Sequence, residues 1–189
     1  MAYIPVQEHL PGITGLLEFR QDTAKPIREL TQFILRGENS LTPAERELIA
    51  TAVSGGNECK FCTTAHAYAA NRLLGETFTT KAILSDPDTA PITPKIRALI
   101  TIALQARENG RSVTPEAIEH AKQLGATDVE IHDTVLIAAL FCLYNRYVDG
   151  LGTSLPASND YFDMLAERLA TTGYVRPPQG FPKPEVTNS

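Results

Sequence analysis

Helix starts punctuate this chain at short intervals: Thr42-Pro43, Thr93-Pro94, Thr114-Pro115 and Thr127-Asp128-Val129-Glu130. A threonine at an N-cap satisfies one of the free N–H groups of a first helical turn, and proline just inside it loses no hydrogen bond. Thr42-Pro43-Ala44-Glu45 and Thr127-Asp128-Val129-Glu130 are both capping boxes. Glycines supply the stops at Gly37, Gly55-Gly56, Gly75, Gly110, Gly125 and Gly150. The predicted helices cover about 22–37, 43–53, 59–75, 78–84, 94–109, 115–125, 128–149 and 159–171. β-Branched residues recur at helical spacing and do not alternate, so no strand is expected and the fold class is all-α.

A degenerate repeat runs through this layout. Leu41–Ile49, LTPAERELI, resembles Ile92–Ile100, ITPKIRALI, and Leu74-Gly75 has its counterpart in Leu124-Gly125. Two helical-hairpin units of similar build follow. The second has Ala98 in place of Glu47 and Gly110 in place of Cys59, so the hairpin itself requires neither residue. Residues 1–21 read as an irregular arm, because Pro5, Pro11 and Gly12 interrupt helix formation. Residues 174–189 read as a Pro-rich, irregular tail. With 189 residues, a single domain is expected.

Composition narrows the function. Seventeen Lys and Arg against 22 Asp and Glu give a net charge of −5, which argues against nucleic acid as a partner. The longest apolar stretch, Val135 to Tyr144, is about half of a membrane-crossing helix. The first residues lack the basic and apolar regions of a secretory signal, so a cytoplasmic location is expected. Three cysteines, an odd number, do not suit a secreted disulfide framework. In a reducing compartment a close pair is expected to be redox-active or metal-binding.

The chemistry concentrates in residues 47–66. Cys59 and Cys62 are spaced i,i+3, Cys62 and His66 i,i+4, and Cys59 and His66 i,i+7. One stripe of a helix carries all three. The pair falls in the first turn, where free N–H groups and the positive dipole end favour a thiolate. His66 is one turn behind, placed to relay a proton. A thiolate so placed can attack a peroxide and become a sulfenic acid, which its neighbour condenses to a disulfide. Alternatives are a zinc site completed by Glu47, two inert structural thiols, a thiol–disulfide oxidoreductase, and a redox-sensing helical oligomer without turnover. Cys142 reads as a core residue, and His9, His120 and His132 as surface or capping residues. On a helical wheel Glu47 falls off the apolar face of Leu48, Ile49, Ala52 and Val53, which predicts solvent exposure.

Glu47-Leu48, Ala52-Val53-Ser54, Asn57, then Cys59-x-x-Cys62-x-x-Ala65-His66 resembles the alkylhydroperoxidase D core of the carboxymuconolactone decarboxylase superfamily. The length and repeated helical layout resemble its peroxidase-related subgroup. The strong match covers about 30 residues. The resemblance implies an all-α, AhpD-like fold, a homo-oligomer (dimer, trimer or hexamer) and thiol-dependent reduction of hydrogen peroxide or organic hydroperoxides. Cys62 would be peroxidatic and Cys59 resolving, with His66 and Glu47 as a proton relay. An unidentified dithiol would be the reductant. No haem, flavin or metal cofactor is implied. Alkylhydroperoxidase D has a histidine just before the second cysteine, where this chain has Lys60-Phe61. Phe61 cannot move protons, and Lys60 is expected to point to water. Phe61, Asn145 and Arg146 are the candidate substrate-binding residues; Asn145 and Arg146 close the long helix as in peroxidase-related members.

Overall fold

The computed structural model describes residues 2–181. Among them the elements run α1 (Gly12–Phe19), α2 (Gln21–Arg36), α3 (Pro43–Gly56), α4 (Lys60–Leu74), α5 (Phe78–Ser85), α6 (Pro94–Glu108), a 3-10 turn (Gly110–Ser112), α7 (Pro115–Gln123), α8 (Asp128–Gly150) and α9 (Asp160–Thr171). No strand occurs among the described residues. Both capping boxes form. Thr42 Oγ1 accepts from the Glu45 N–H at 3.2 Å while Glu45 Oε2 accepts from the Thr42 N–H at 2.7 Å. Thr127 and Glu130 repeat the exchange at 3.1 and 2.8 Å. Gly75 ends α4 in the left-handed conformation, φ 74°, which a side chain would disfavour.

The repeat is visible as two runs of three helices, α3-α4-α5 and α6-α7-α8, opened by Thr42 and Thr93 at equivalent caps. Helix α3 is the hub. It packs against α4, α8, α6, α5 and α2, and an unbroken run from Arg46 to Ser54 is buried. The main core gathers around it from α3, α6 and α8, with Ile49, Val53, Leu99, Ile102 and Ile137 fully buried. A second cluster joins Cys59, Phe61, Cys62, Ala65, Val148 and Phe162, where α4 meets α9 and the end of α8.

The amino-terminal arm differs from the sequence expectation. Residues 12–19 are helical, and α2 begins at Gln21, ahead of Pro26. Pro11 is the N-cap of α1 and Gly12 its first residue, so neither interrupts it, and proline ahead of a first turn costs no hydrogen bond. The arm docks on the body through the Tyr3 N–H on Leu151 O at 2.9 Å and the Gly12 N–H on Ser154 O at 3.2 Å. Residues 174–181 form no helix or strand. Tyr174 packs against the main core, and residues 174–181 lie back on the body. The rest of the Pro-rich tail, residues 182–189, lies outside the described residues.

Candidate active site

The α3–α4 connection places the thiols. Asn57 caps α3, Glu58 takes a positive φ of 58°, and the Cys59 N–H bonds Ser54 O at 3.2 Å. Cys59 is therefore the N-cap residue of α4, and Cys62 lies in its first turn. Both are free and buried, Cys59 completely and Cys62 at 3% exposure. The two sulfurs share their titration unequally. Interaction with the Cys62 thiol lowers Cys59 below the ordinary thiol range, against the opposing effect of burial. The same neighbour, then burial, pushes Cys62 far above that range. Of the two sulfurs, the one at the helix cap, Cys59, is the more readily ionised.

His66 is held from behind. Its Nδ1 lies 2.7 Å from Glu47 Oε2. Glu47 is completely buried, and its other oxygen accepts from Arg36 Nη2 at 2.5 Å and from Tyr174 Oη at 2.6 Å. Burial alone would raise the Glu47 carboxyl. The charge and hydrogen bond of His66, the Arg36 guanidinium and the Tyr174 hydroxyl outweigh it and hold the group at about 2. An ionised carboxylate at Nδ1 fixes that nitrogen as the donor and leaves Nε2 as the acceptor. Burial and the adjacent Glu47 carboxylate raise Tyr174 well above its usual range, so its hydroxyl remains a donor. The His66 ring is further fixed by an edge contact with Phe141, centroids 4.5 Å apart.

Cys62 and His66 face one cavity of about 70 Å³, lined also by Phe61, Ala65, Tyr144 and Tyr174, by Ile13, Thr14 and Leu17 from α1, and by residues of α2 and α9. Cys59 is not part of its wall. The arrangement offers a thiol, an imidazole acceptor and a small water-poor space to a molecule of a few heavy atoms.

Four predicted residues, Cys59, Cys62, His66 and Glu47, come together here. Glu47 corrects the helical wheel: α3 is enclosed on several sides, so falling off one apolar face does not mean exposure. Phe61 lines the cavity and packs on Tyr161 and Phe162. Asn145 is buried but stands behind the wall, joining Asn57 Nδ2 at 2.8 Å and Ser54 Oγ at 3.2 Å. Arg146 does not reach the cavity. It is exposed and bonds Cys142 O at 3.0 Å, one turn back on its own helix. Lys60 is exposed. Cys142 is partly buried against the core, with Asn57 Nδ2 3.5 Å from its sulfur. Among the described residues no group of three or more His, Cys, Asp and Glu side chains is placed to hold a metal ion. None of their helices is long and apolar enough to cross a membrane.

Arg36 and Tyr174 escaped sequence reasoning. Arg36 stands in the last turn of α2, and Tyr174 follows Gly173 after the last helix. No local pattern ties either to Glu47, which is 11 and 127 residues away.

Known proteins resemble part of this sequence and most of this fold. The sequence model of the Carboxymuconolactone decarboxylase family matches residues 21–77, a stretch that holds Arg36, Glu47, both α4 cysteines and His66. A peroxidase-related protein from Ralstonia eutropha JMP134, described as an alkylhydroperoxidase AhpD core, superposes with a TM-score of 0.74 at 26% identity, over 82% of this chain and 80% of that one. A peroxidase-related protein from Silicibacter sp. TM1040 superposes with a TM-score of 0.73 at 22% identity, over 78% and 77%. Among curated proteins none is significantly similar in sequence.

Proposed function

We propose that this AhpD-like member of the carboxymuconolactone decarboxylase superfamily is a thiol-dependent peroxidase that reduces hydrogen peroxide or small organic hydroperoxides. The observation that carries the reading is the shared cavity: Cys62 and His66 line it together, with Glu47 bonded behind the imidazole.

Access assigns the roles. Cys62 meets a molecule in the cavity and Cys59 does not, which supports Cys62 as the peroxidatic thiol although Cys59 is the more readily ionised of the two. His66 Nε2 takes the Cys62 proton as peroxide enters. The thiolate attacks the terminal peroxide oxygen, the O–O bond breaks, and the alkoxide leaves with the proton held on His66. Cys62 is then a sulfenic acid and the products are alcohol or water. Cys59 keeps its proton until this point, then gives it up, and its thiolate, favoured at the helix cap, attacks the Cys62 sulfur. Hydroxide leaves and takes the proton that Cys59 released to become water, and the Cys59–Cys62 disulfide forms. A dithiol reductant returns two electrons and two protons. Such a cycle needs a reducing compartment, in keeping with a cytoplasmic setting. Glu47 holds the tautomer and stabilises the imidazolium while the proton is in transit.

Burial favours this reading over an oxidoreductase of protein disulfides: sulfurs exposed by 0% and 3% are less open to a folded protein than to a molecule of a few atoms, whether peroxide or small dithiol. Assembly as a homo-oligomer belongs to the same proposal. Phe33 and Phe78 are 73% and 61% exposed, apolar surface of the kind that a second copy covers.

The test is consumption of tert-butyl hydroperoxide with a dithiol reductant. Turnover that is lost in Cys62→Ser, with the intramolecular disulfide lost in Cys59→Ser, is the expected result. Undiminished turnover in Cys62→Ser overturns the mechanism.

A further inference from the structure

The cavity that Cys62 and His66 face is also lined by Arg28 and Arg168, and no Asp or Glu lines it. Arg28 is 8% exposed, and its Nε is buried without a hydrogen-bond partner. Its Nη2 donates to Glu18 Oε1 at 2.9 Å, but Glu18 also holds Arg176 at 2.7 Å. One carboxylate thus serves two guanidinium groups. Arg168 donates to Gly173 O at 3.3 Å; among the described residues it has no carboxylate within 4.0 Å. Arg28 and Arg168 lie over the same Phe181 ring, 5.6 and 5.4 Å from its centroid, so two like charges converge on one place.

Buried cations short of counter-charge are costly, and an anion offsets that cost. The Arg28 Nε–H, unpartnered beside an Nη2 that already serves Glu18, is free to donate to an added carboxylate oxygen. The rest of the wall is apolar or hydroxyl-bearing, with Ile13, Leu17 and Ala65 beside Thr14. At about 70 Å³ the space takes a short stem and little more.

We infer that this cavity selects an anionic substrate, a short hydroperoxide carrying a carboxylate, with Arg28 and Arg168 as its counter-charges. This deepens the peroxidase reading and rests on it for the reacting group. The carboxylate seats at the guanidinium end, which leaves the peroxide to Cys62 and His66.

Two measurements test the inference and keep it separate from the peroxidase reading. The first compares kcat/KM of the wild-type protein for tert-butyl hydroperoxide and for 3-hydroperoxy-3-methylbutanoate, its carboxylate-bearing relative. A preference of about tenfold or more for the carboxylate is expected, falling at least severalfold in Arg168→Gln and largely kept in Arg168→Lys. The second is calorimetric titration with unreactive 3-hydroxy-3-methylbutanoate, which needs no turnover. Binding that weakens in Arg168→Gln and at high salt supports the subsite even if neither peroxide is consumed, an outcome that removes the peroxidase reading alone. Equal rates on the two peroxides, or no binding of the hydroxy acid by the wild-type protein, overturns the inference, and neither wild-type measurement depends on a variant that folds.

Discussion

Tyr174 Oη donates to Glu47 Oε1 at 2.6 Å across 127 residues of sequence. The bond joins the segment after the last helix to the most enclosed helix of the fold, and it lies 3.3 Å from His66 Nδ1 as well. Glu47 thereby has three partners on two oxygens, so its carboxylate is fully occupied in orienting the imidazole.

Tyr174→Phe removes one donor from a buried carboxylate and leaves the ring in place. The Glu47 carboxyl should titrate higher, as read by carbon-13 NMR, and stability should fall by about 1–2 kcal/mol in urea. Peroxide kcat/KM should drop about tenfold, the usual scale for a lost orienting partner. An unmoved Glu47 titration would mean that the hydroxyl does not support the carboxylate.

Glu47→Gln withdraws the counter-charge from Arg36, whose side chain is 9% exposed. Leaving a buried cation unpaired should cost about 3–5 kcal/mol. Glu47→Gln with Arg36→Met removes both charges and should recover most of that loss. Activity should stay low in both, because neither restores an anionic acceptor at His66 Nδ1. Equal recovery of stability and activity would make Glu47 purely structural.

Acid should weaken the fold through the same group. Glu47 is held at about 2 against an ordinary 4.5. A depressed carboxyl contributes stability that is fully present above the unfolded value and is lost as pH falls through the folded one. Stability should decline from about pH 4.5 toward pH 2, and the decline should be shallower in Glu47→Gln. Denaturant midpoints across that window give the comparison.

The sulfur pair should lose its first proton below the ordinary thiol range and its second well above it. Cys62→Ala takes away the neighbour that lowers Cys59, so the remaining thiolate should appear at higher pH by absorbance at 240 nm. An unchanged Cys59 titration would locate its thiolate stabilisation in the helix terminus alone.

Gly12 has φ +59°, and a Cβ there would overlap the Phe61 ring. Gly12→Ala should therefore destabilise the fold and displace Phe61 at the cavity wall. A fall in melting temperature together with an altered KM for peroxide is the expected pair of results.

Local chemistry was easy to read and distant chemistry was not. Thr42, Thr127 and Gly75 signal helix boundaries through their own backbone needs, and the structure starts helices at the first two and ends one at the third. Cys59, Cys62 and His66 sit on one short helix, so spacing alone aligned them. Glu47 misled the wheel because burial of α3 comes from five neighbouring helices, a property of assembly that no single helix encodes. Pro11 and Gly12 are ambiguous by sequence, because the same residues stop a helix or open one, depending on which side the helix lies. Arg146 looked like a site residue by position, yet one residue along a helix is a turn of about 100°, which sends Asn145 inward and Arg146 to water.

The order in which the chain is made gives the Tyr174 contact a temporal meaning. A ribosome releases the imidazole 108 residues before it releases the phenol that steadies it. During that interval the nascent protein owns its α4 side chains without the strut that aligns the ring. Orientation of the imidazole is therefore acquired only after α9 has been made.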